Sequence, residues 1–225
     1  MRRVTVVPGT WGRETSWYRP FSSWGMYLAQ KDVTVYEPSG RPLLWSTDTG
    51  GLHFWLRWFN NADNRDHWDW RAGGELLFER IVPALAPERR IPPSETHVIS
   101  HSHGLQAVLY AASMGLLIDT YIDVSGPIRK DMMKIAEMAR PNIRNWIHVH
   151  SDMSDWLQIL GEFGDGVFGM SRAHPLASLN WKVPKAGHTG VLQDPKWFDS
   201  VWGELLLSIP HDDSSLFVTS DTLSR

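Results

Sequence analysis

The stretch ETHVISHSHGLQAVLYAA, from Glu95 to Ala112, passes from alternating and β-branched apolar residues through Ser-His-Ser-His-Gly into a run of helix-forming residues. This pattern predicts a buried strand, a tight turn and a helix in direct succession. The turn holds two hydroxyls and two imidazoles. Three explanations compete for it: a metal cluster, a polar turn without chemistry, and a strand-to-helix bend that presents a nucleophilic serine.

The length of 225 residues and the hydrophobic content of 42% predict one domain with a sizeable core. We expect this domain to span residues 1–210, with a tryptophan-rich insertion near residues 48–71. Residues 211–225 are rich in Ser, Asp and Thr and are expected to form a flexible tail.

Composition excludes several classes of function. The net charge of -3 provides no basic surface for nucleic acid, and the absence of cysteine excludes disulfides and thiolate chemistry. The first apolar run ends at Pro8, which is too short for a signal peptide, and no segment reaches the roughly 20 apolar residues of a membrane span. We therefore expect a cytoplasmic protein without a membrane span.

Outside the insertion, short strands alternate with helices along the chain. Strands are predicted in the opening stretch and at Val4–Val7, Val33–Tyr36, Ile118–Val124, Ile143–Val149 and Leu179–Val183. Helices are predicted at Ser22–Gln30, Glu75–Leu85, Leu105–Met114, Arg129–Ala139 and Trp197–Leu207. Such alternation predicts a three-layer α/β/α sandwich around a roughly six-stranded, mainly parallel sheet.

Polar residues follow the predicted strands, where the carboxyl ends of parallel strands meet at one edge and bind ligands. Ser102, the aspartates Asp152 and Asp155, and His188 occur there in that chain order. A serine hydroxyl needs an imidazole as general base, and the imidazole needs a carboxylate that fixes its tautomer. A strand-to-helix turn also requires small flanking residues, here Ser100 and Gly104.

With these residues in place, the sequence resembles the α/β-hydrolases, whose nucleophile lies in a Gly-x-Ser-x-Gly elbow and whose triad runs Ser, Asp or Glu, His. The resemblance extends from residue 4 to about residue 205, with SHSHG as the elbow, PGTWG as the oxyanion loop and GHTG as the histidine loop. Three differences stand out. Ser100 replaces the first glycine, Pro8 replaces the usual histidine of the oxyanion loop, and the chain begins at the family's third strand.

The resemblance implies a role for each residue. Ser102 would be the nucleophile, although a serine that caps the following helix is the alternative. His188 would be the general base. Asp155 would be the triad acid because an apolar helical turn follows it, with Asp152 as the alternative and Asp123 as a weaker third candidate. The backbone amides of His103 and of Thr10 or Trp11 would form the oxyanion hole.

The sequence also contains candidates for substrate binding. Trp11, Trp55 and Trp58 are candidates to line the site or to form a lid over an apolar substrate, and the alternative for each is ordinary packing. A metal bound by His97, His101 and His103 is disfavoured because no carboxylate accompanies them. No cofactor is expected.

The sequence as a whole predicts a serine hydrolase that cleaves a carboxylic ester in a small-molecule substrate through an acyl-enzyme on Ser102. A thioesterase or amidase would use the same groups. A hydrolase-like fold that only binds a ligand is the alternative from another class.

Overall fold

The computed structural model describes residues 2–9, 17–35, 63–81, 96–152, 154–156 and 172–210, with the side chains of 63–68 excepted. Six strands in this part of the chain form one sheet in the order β2-β1-β3-β4-β5-β6. Every pair of neighbouring strands is parallel. The strands are β1 Arg2–Val7, β2 Val33–Val35, β3 His97–His101, β4 Ile118–Val124, β5 Ile143–His150 and β6 Leu179–Lys182. The predicted parallel sheet is therefore confirmed.

Helices cover both faces of the sheet, because alternate strand residues point to opposite sides. Val98, Tyr121 and Trp146 pack in a core with α2, α3 and α4. Ile99 and Ile122 belong to a second core with α1 and the C-terminal helical segment. The helices are α1 Ser23–Gln30, α2 Asp63–Ile81, α3 Gly104–Ser113, α4 Met133–Ala139, α5 Gly190–Gln193 and α6 Gly203–Leu205. The three-layer α/β/α architecture is confirmed.

The predicted N-terminus of the first helix is also confirmed. Ser22 is the N-cap of α1, and its hydroxyl accepts a hydrogen bond from the Gly25 N–H at 2.9 Å. Such a cap satisfies one of the N–H groups that a helix cannot satisfy internally.

Three helix predictions differ from the structure, and one of them is α4, which begins at Met133 rather than at Arg129. α2 begins at Asp63, inside the tryptophan-rich segment, rather than at Glu75. The predicted Trp197–Leu207 helix is a series of 3₁₀, π and α turns from Pro195 to Ser208. The predicted helical turn after Asp155 lies outside the described residues apart from Trp156, and the predicted C-terminal tail lies wholly outside them.

The fold brings the carboxyl ends of β1, β3, β4, β5 and β6 to a single edge of the sheet. Register pairs Val7 with Ser100, Ser100 with Asp123, and Asp123 with His148 across neighbouring strands. The loops that leave this edge carry Ser102, Asp155 and His188. In the described part of the chain, none of the helices has both the length and the apolar composition needed to cross a membrane.

Candidate active site

Ser102 occupies a left-handed turn between β3 and α3. Its φ is 53°, and its N–H donates to the Val124 carbonyl of the neighbouring strand at 2.9 Å. A non-glycine residue in this region costs about 1–3 kcal/mol and persists only where the surrounding structure enforces it. Helix α3 begins two residues later at Gly104, so the elbow predicted from SHSHG is present in the fold.

Two glycines allow the end of β1 to approach this elbow closely. A Cβ on Gly9 would lie 2.8 Å from the Ser102 Cβ and 3.4 Å from its Oγ. A Cβ on Gly104 would lie 2.5 Å from the Val7 carbonyl oxygen. The distances of 2.8 Å to the Ser102 Cβ and 2.5 Å to the Val7 oxygen are shorter than van der Waals contact. Any larger residue at Gly9 or Gly104 would therefore displace the elbow from β1.

His188 lies in the loop after β6 and pairs with Asp155, which follows β5. The His188 Nδ1 is 3.1 Å from each carboxylate oxygen of Asp155. An ionised carboxylate only accepts hydrogen bonds, so Nδ1 carries the proton and Nε2 is the nitrogen that remains to accept one. The Asp155 side chain is 1% exposed and that of His188 is 15% exposed, so the imidazole alone reaches the surface of this pair.

The other two candidate acids have different partners. Asp152 accepts from the Ser154 N–H at 3.0 Å and the Lys185 N–H at 3.1 Å. The bond from the Ser154 main chain is the largest cause that lowers the pKa of Asp152 to about 2. Asp123 contacts His148 instead. Of the three carboxylates, Asp155 is the one hydrogen-bonded to His188.

Loop-to-loop hydrogen bonds fix the Asp155 and His188 loops to each other. The Gly187 N–H donates to the hydroxyls of Ser151 at 3.1 Å and Ser154 at 3.0 Å. Gly187 has a φ of 67°, a value that suits glycine. Asp152 also accepts a hydrogen bond from the Lys185 N–H, so its carboxylate links the two loops and is not a partner of the imidazole.

His101, to which the sequence assigned no role, packs against His188. Its Nε2 is 3.1 Å from the His188 carbonyl oxygen, and the two ring centroids are 4.9 Å apart. A carbonyl only accepts, so Nε2 of His101 is protonated and donates. Burial lowers the pKa of His101 to about 3, with the nearby His188 as a second cause. A neutral imidazole therefore holds the histidine loop through the main chain of His188.

The predicted oxyanion donors are described only in part. His103 is the N-cap position of α3, so its amide lies at the positive end of a helix dipole. The His103 ring stacks on Trp70 with centroids 5.7 Å apart, and the Arg129 guanidinium lies 4.7 Å from the centre of the Trp70 ring. The remaining predicted substrate and oxyanion residues lie outside the described residues: Thr10, Trp11, Trp55 and Trp58.

A hydrogen bond from Ser102 to His188 and a metal-binding group are both absent among the described residues. No hydrogen bond there joins the Ser102 hydroxyl to the His188 imidazole. Such bonds often tighten only when substrate is bound. Within the same ranges, no group of three or more His, Asp or Glu side chains is arranged to hold a metal ion. In particular, His97, His101 and His103 do not form one.

Sequence reasoning did not identify Arg172, a buried residue that contacts Asp155. The Arg172 Nη1 is 3.6 Å from the Asp155 Oδ2, and its Nη2 donates to the Asp155 carbonyl at 3.1 Å. Arg172 stands in the Ser-Arg-Ala-His segment before β6, where no periodicity or motif distinguishes it from a surface arginine. Only the tertiary contact identifies it.

The parallel sheet, the elbow after β3 and the acid and histidine loops after β5 and β6 define a class of protein: a three-layer α/β protein with a strand-end site. Comparison with solved structures is more specific. The chain is similar to the dienelactone hydrolase from Anabaena variabilis, with a TM-score of 0.56 and 13% identity over 94% of this chain and 88% of that one. It is similar to esterase PE8, with a TM-score of 0.54 and 15% identity over 92% and 93% of the two chains. The protein has the α/β-hydrolase fold.

At these identities the structural likeness shows the fold alone. No protein-family model matches the sequence. The curated proteins likewise contain no match.

Proposed function

We propose that the protein is a serine hydrolase that cleaves a carboxylic ester, or a related acyl bond, of a small molecule. The single observation that carries this proposal is the His188–Asp155 pair, which stands at the same sheet edge as Ser102 in its left-handed turn. Both similar solved structures have hydrolase names, which favours hydrolysis over ligand binding without chemistry.

In the proposed mechanism, His188 removes the Ser102 hydroxyl proton through Nε2 as the oxygen attacks the acyl carbon. A tetrahedral intermediate forms, and its oxyanion accepts from the backbone amides of His103 and of Thr10 or Trp11. The protonated His188 then gives its proton to the leaving alcohol, and an acyl-enzyme remains on Ser102. Water, deprotonated by His188, releases the acid and regenerates the serine.

Asp155 has two roles in this scheme. Its carboxylate keeps the proton of His188 on Nδ1, so that Nε2 is free to act as the base. It also stabilises the imidazolium that forms in each transition state. Asp155 is 1% exposed, so the interaction operates with little screening by water.

Turnover of p-nitrophenyl esters of graded acyl length tests the proposal. Ser102→Ala is expected to lower kcat/KM by at least on the order of 10³, because the nucleophile is removed. Ser125→Ala is the matched control: Ser125 directly follows β4 with the same φ of 53° and is 2% exposed, but no helix begins directly after it. Unchanged turnover in Ser102→Ala would refute the assignment.

A further inference from the structure

Arg172 holds Asp155 at two points. Its Nη1 forms an ion pair with the carboxylate at 3.6 Å, and its Nη2 donates to the main-chain carbonyl of the same residue at 3.1 Å. The side chains are 2% and 1% exposed, so the contact is sealed from solvent. A guanidinium can make both contacts at once because its donors are arranged in a rigid, planar fork.

The backbone of Arg172 is itself held. Its φ is 47°, in the left-handed region that a residue with a Cβ rarely adopts. Its carbonyl oxygen is 2.8 Å from the His148 Nε2. A carbonyl only accepts, so His148 Nε2 carries a proton and donates. A conformation of this kind persists only where neighbouring groups enforce it, and His148 on β5 is one such group.

His148 is fixed in turn by Asp123. The His148 Nδ1 is 2.5 Å from the Asp123 Oδ2, and the two residues lie side by side on β5 and β4. Both are fully buried. Since Nε2 is already protonated, the second proton of this pair lies between Nδ1 and the carboxylate. The pair is therefore an acid–imidazole unit that is linked to Asp155 through Arg172.

We propose that Arg172 is a positioning residue for the triad acid, held in place by the Asp123–His148 pair. The inference rests on the proposed function, in which Asp155 orients His188. Arg172 places a cation against the buried carboxylate of Asp155, and its fork fixes the carboxylate and the main chain together. The unbroken series of contacts runs Asp123, His148, Arg172, Asp155, His188.

Three other histidines pack around this series, and burial lowers the pKa of each. His101 contacts His188 and is neutral because burial lowers its pKa to about 3. His174 packs 5.9 Å from the ring of His148, and burial lowers its pKa to about 3 as well. His150 stacks on His148 at 5.5 Å, and burial, followed by His148, lowers its pKa. Arg172 contacts Asp155 directly through its guanidinium group.

The test compares Arg172→Lys with Arg172→Met in pH profiles of ester turnover. Lysine keeps the charge but loses the fork, so we expect kcat to fall about tenfold with KM within about twofold and the acidic limb of the profile unmoved. Methionine removes the charge as well, so the acidic limb should move to higher pH by about half a unit or more. If Arg172 had only a structural role, the two variants would not differ in the position of the acidic limb.

Arg140→Lys is the matched control. Arg140 makes a similar fork at the opposite end of β5, to the Ile143 carbonyl and to the Ser178 hydroxyl at 3.1 Å. Its kinetics should equal those of the unaltered protein. Full activity in Arg172→Lys would overturn the role of the fork, as would the same tenfold loss in Arg140→Lys. An unmoved acidic limb in folded Arg172→Met would overturn the role of the charge.

A second measurement separates this inference from the proposed function. The ring protons of His188 can be titrated by NMR in a Ser102→Ala background, where no turnover is needed. We expect the midpoint of that titration to be higher when Arg172→Met is added and unchanged when Arg172→Lys is added. An absence of esterase activity in the unaltered protein would refute the hydrolase proposal, whereas an unchanged NMR midpoint would refute the role of Arg172.

Discussion

Ser102 and Ser125 directly follow the neighbouring strands β3 and β4 with the same left-handed φ of 53°. Ser102 donates its N–H to the Val124 carbonyl, and Ser125 donates its N–H to the Val149 carbonyl. What distinguishes them is the chain that follows. Gly104 starts α3 two residues after Ser102, whereas α4 begins only at Met133. The predicted strand-turn-helix arrangement around Ser102 is present in the fold, and it was predictable because small residues and a helix-forming run are visible in the sequence.

Single substitutions of Asp155 and Asp152 test which of the two is the triad acid. Asp155→Asn is expected to lower kcat by about 10⁴, because an amide no longer fixes the His188 tautomer or stabilises the imidazolium. Ester turnover above pH 7, where the base is unprotonated, measures this loss. An activity near that of the unaltered protein would show that Asp155 is not the acid.

Asp152→Asn provides the comparison for that experiment. Asp152 clips the loop of Asp155 to Lys185 without touching the imidazole, so its replacement should cost less than about tenfold in kcat. If Asp152→Asn lost more activity than Asp155→Asn, the order of the two candidates would be reversed.

Helix α2 shows what the sequence could not reveal at the level of elements. The Gly73-Gly74 pair lowers helix propensity, so the predicted helix began after it. In the structure, a Cβ on Gly74 would lie 2.6 Å from the Tyr110 Cβ and 2.8 Å from the Ala107 carbonyl of α3. The glycine that disfavours helix locally is what allows α2 and α3 to pack closely. The helix extends back to Asp63 because tertiary packing outweighs propensity.

The strands were predicted well because, unlike in α2, local preference and tertiary packing favour the same structure. Residues such as Val98, Ile99 and Ile122 are β-branched and buried, and local preference agrees with tertiary environment there. His101 and His188, which are in contact, are 87 positions apart in the sequence, and Arg172 and Asp155 are 17 positions apart. No local sequence pattern encodes either contact.

The close approach of β1 to the elbow gives a prediction about these two elements. Gly9→Ala places a methyl group 2.8 Å from the Ser102 Cβ, so the elbow must shift. A displacement near 1 Å at a reacting group costs on the order of 10² in rate, and we expect kcat/KM for p-nitrophenyl acetate to fall by about that factor. Gly203→Ala is the control, because its Cβ would meet only the Tyr27 hydroxyl at 3.6 Å. Equal activity of the two variants would contradict the close approach.

Over the whole molecule, buried histidines make stability depend on pH. Burial lowers the pKa of His101 and of His174 to about 3, from 6.5 in the unfolded chain. Between these values the unfolded state binds more protons than the folded state. The free energy of unfolding therefore rises with pH across this window and falls as pH drops from about 6.5 toward 3.

Urea denaturation at pH 7 and pH 5 measures this effect. The unaltered protein should unfold at lower urea at pH 5, and His174→Asn should show a smaller difference between the two pH values, because one titrating group is removed. Asp152 and Asp194 have a lowered pKa and do not contribute between pH 5 and 7, because each is ionised in both states there. An undiminished pH difference in His174→Asn would contradict a neutral, buried His174.

The central claim for the whole molecule is that one serine among several at this sheet edge is the nucleophile. A fluorophosphonate probe reacts with a serine only when a base activates it and an oxyanion site receives the developing charge. Labelling of the native protein, followed by peptide mapping, should place one phosphonate on Ser102. Labelling should be absent in Ser102→Ala and retained in Ser125→Ala. Folded native protein that remains unlabelled, or a label on any other serine, would contradict the claim.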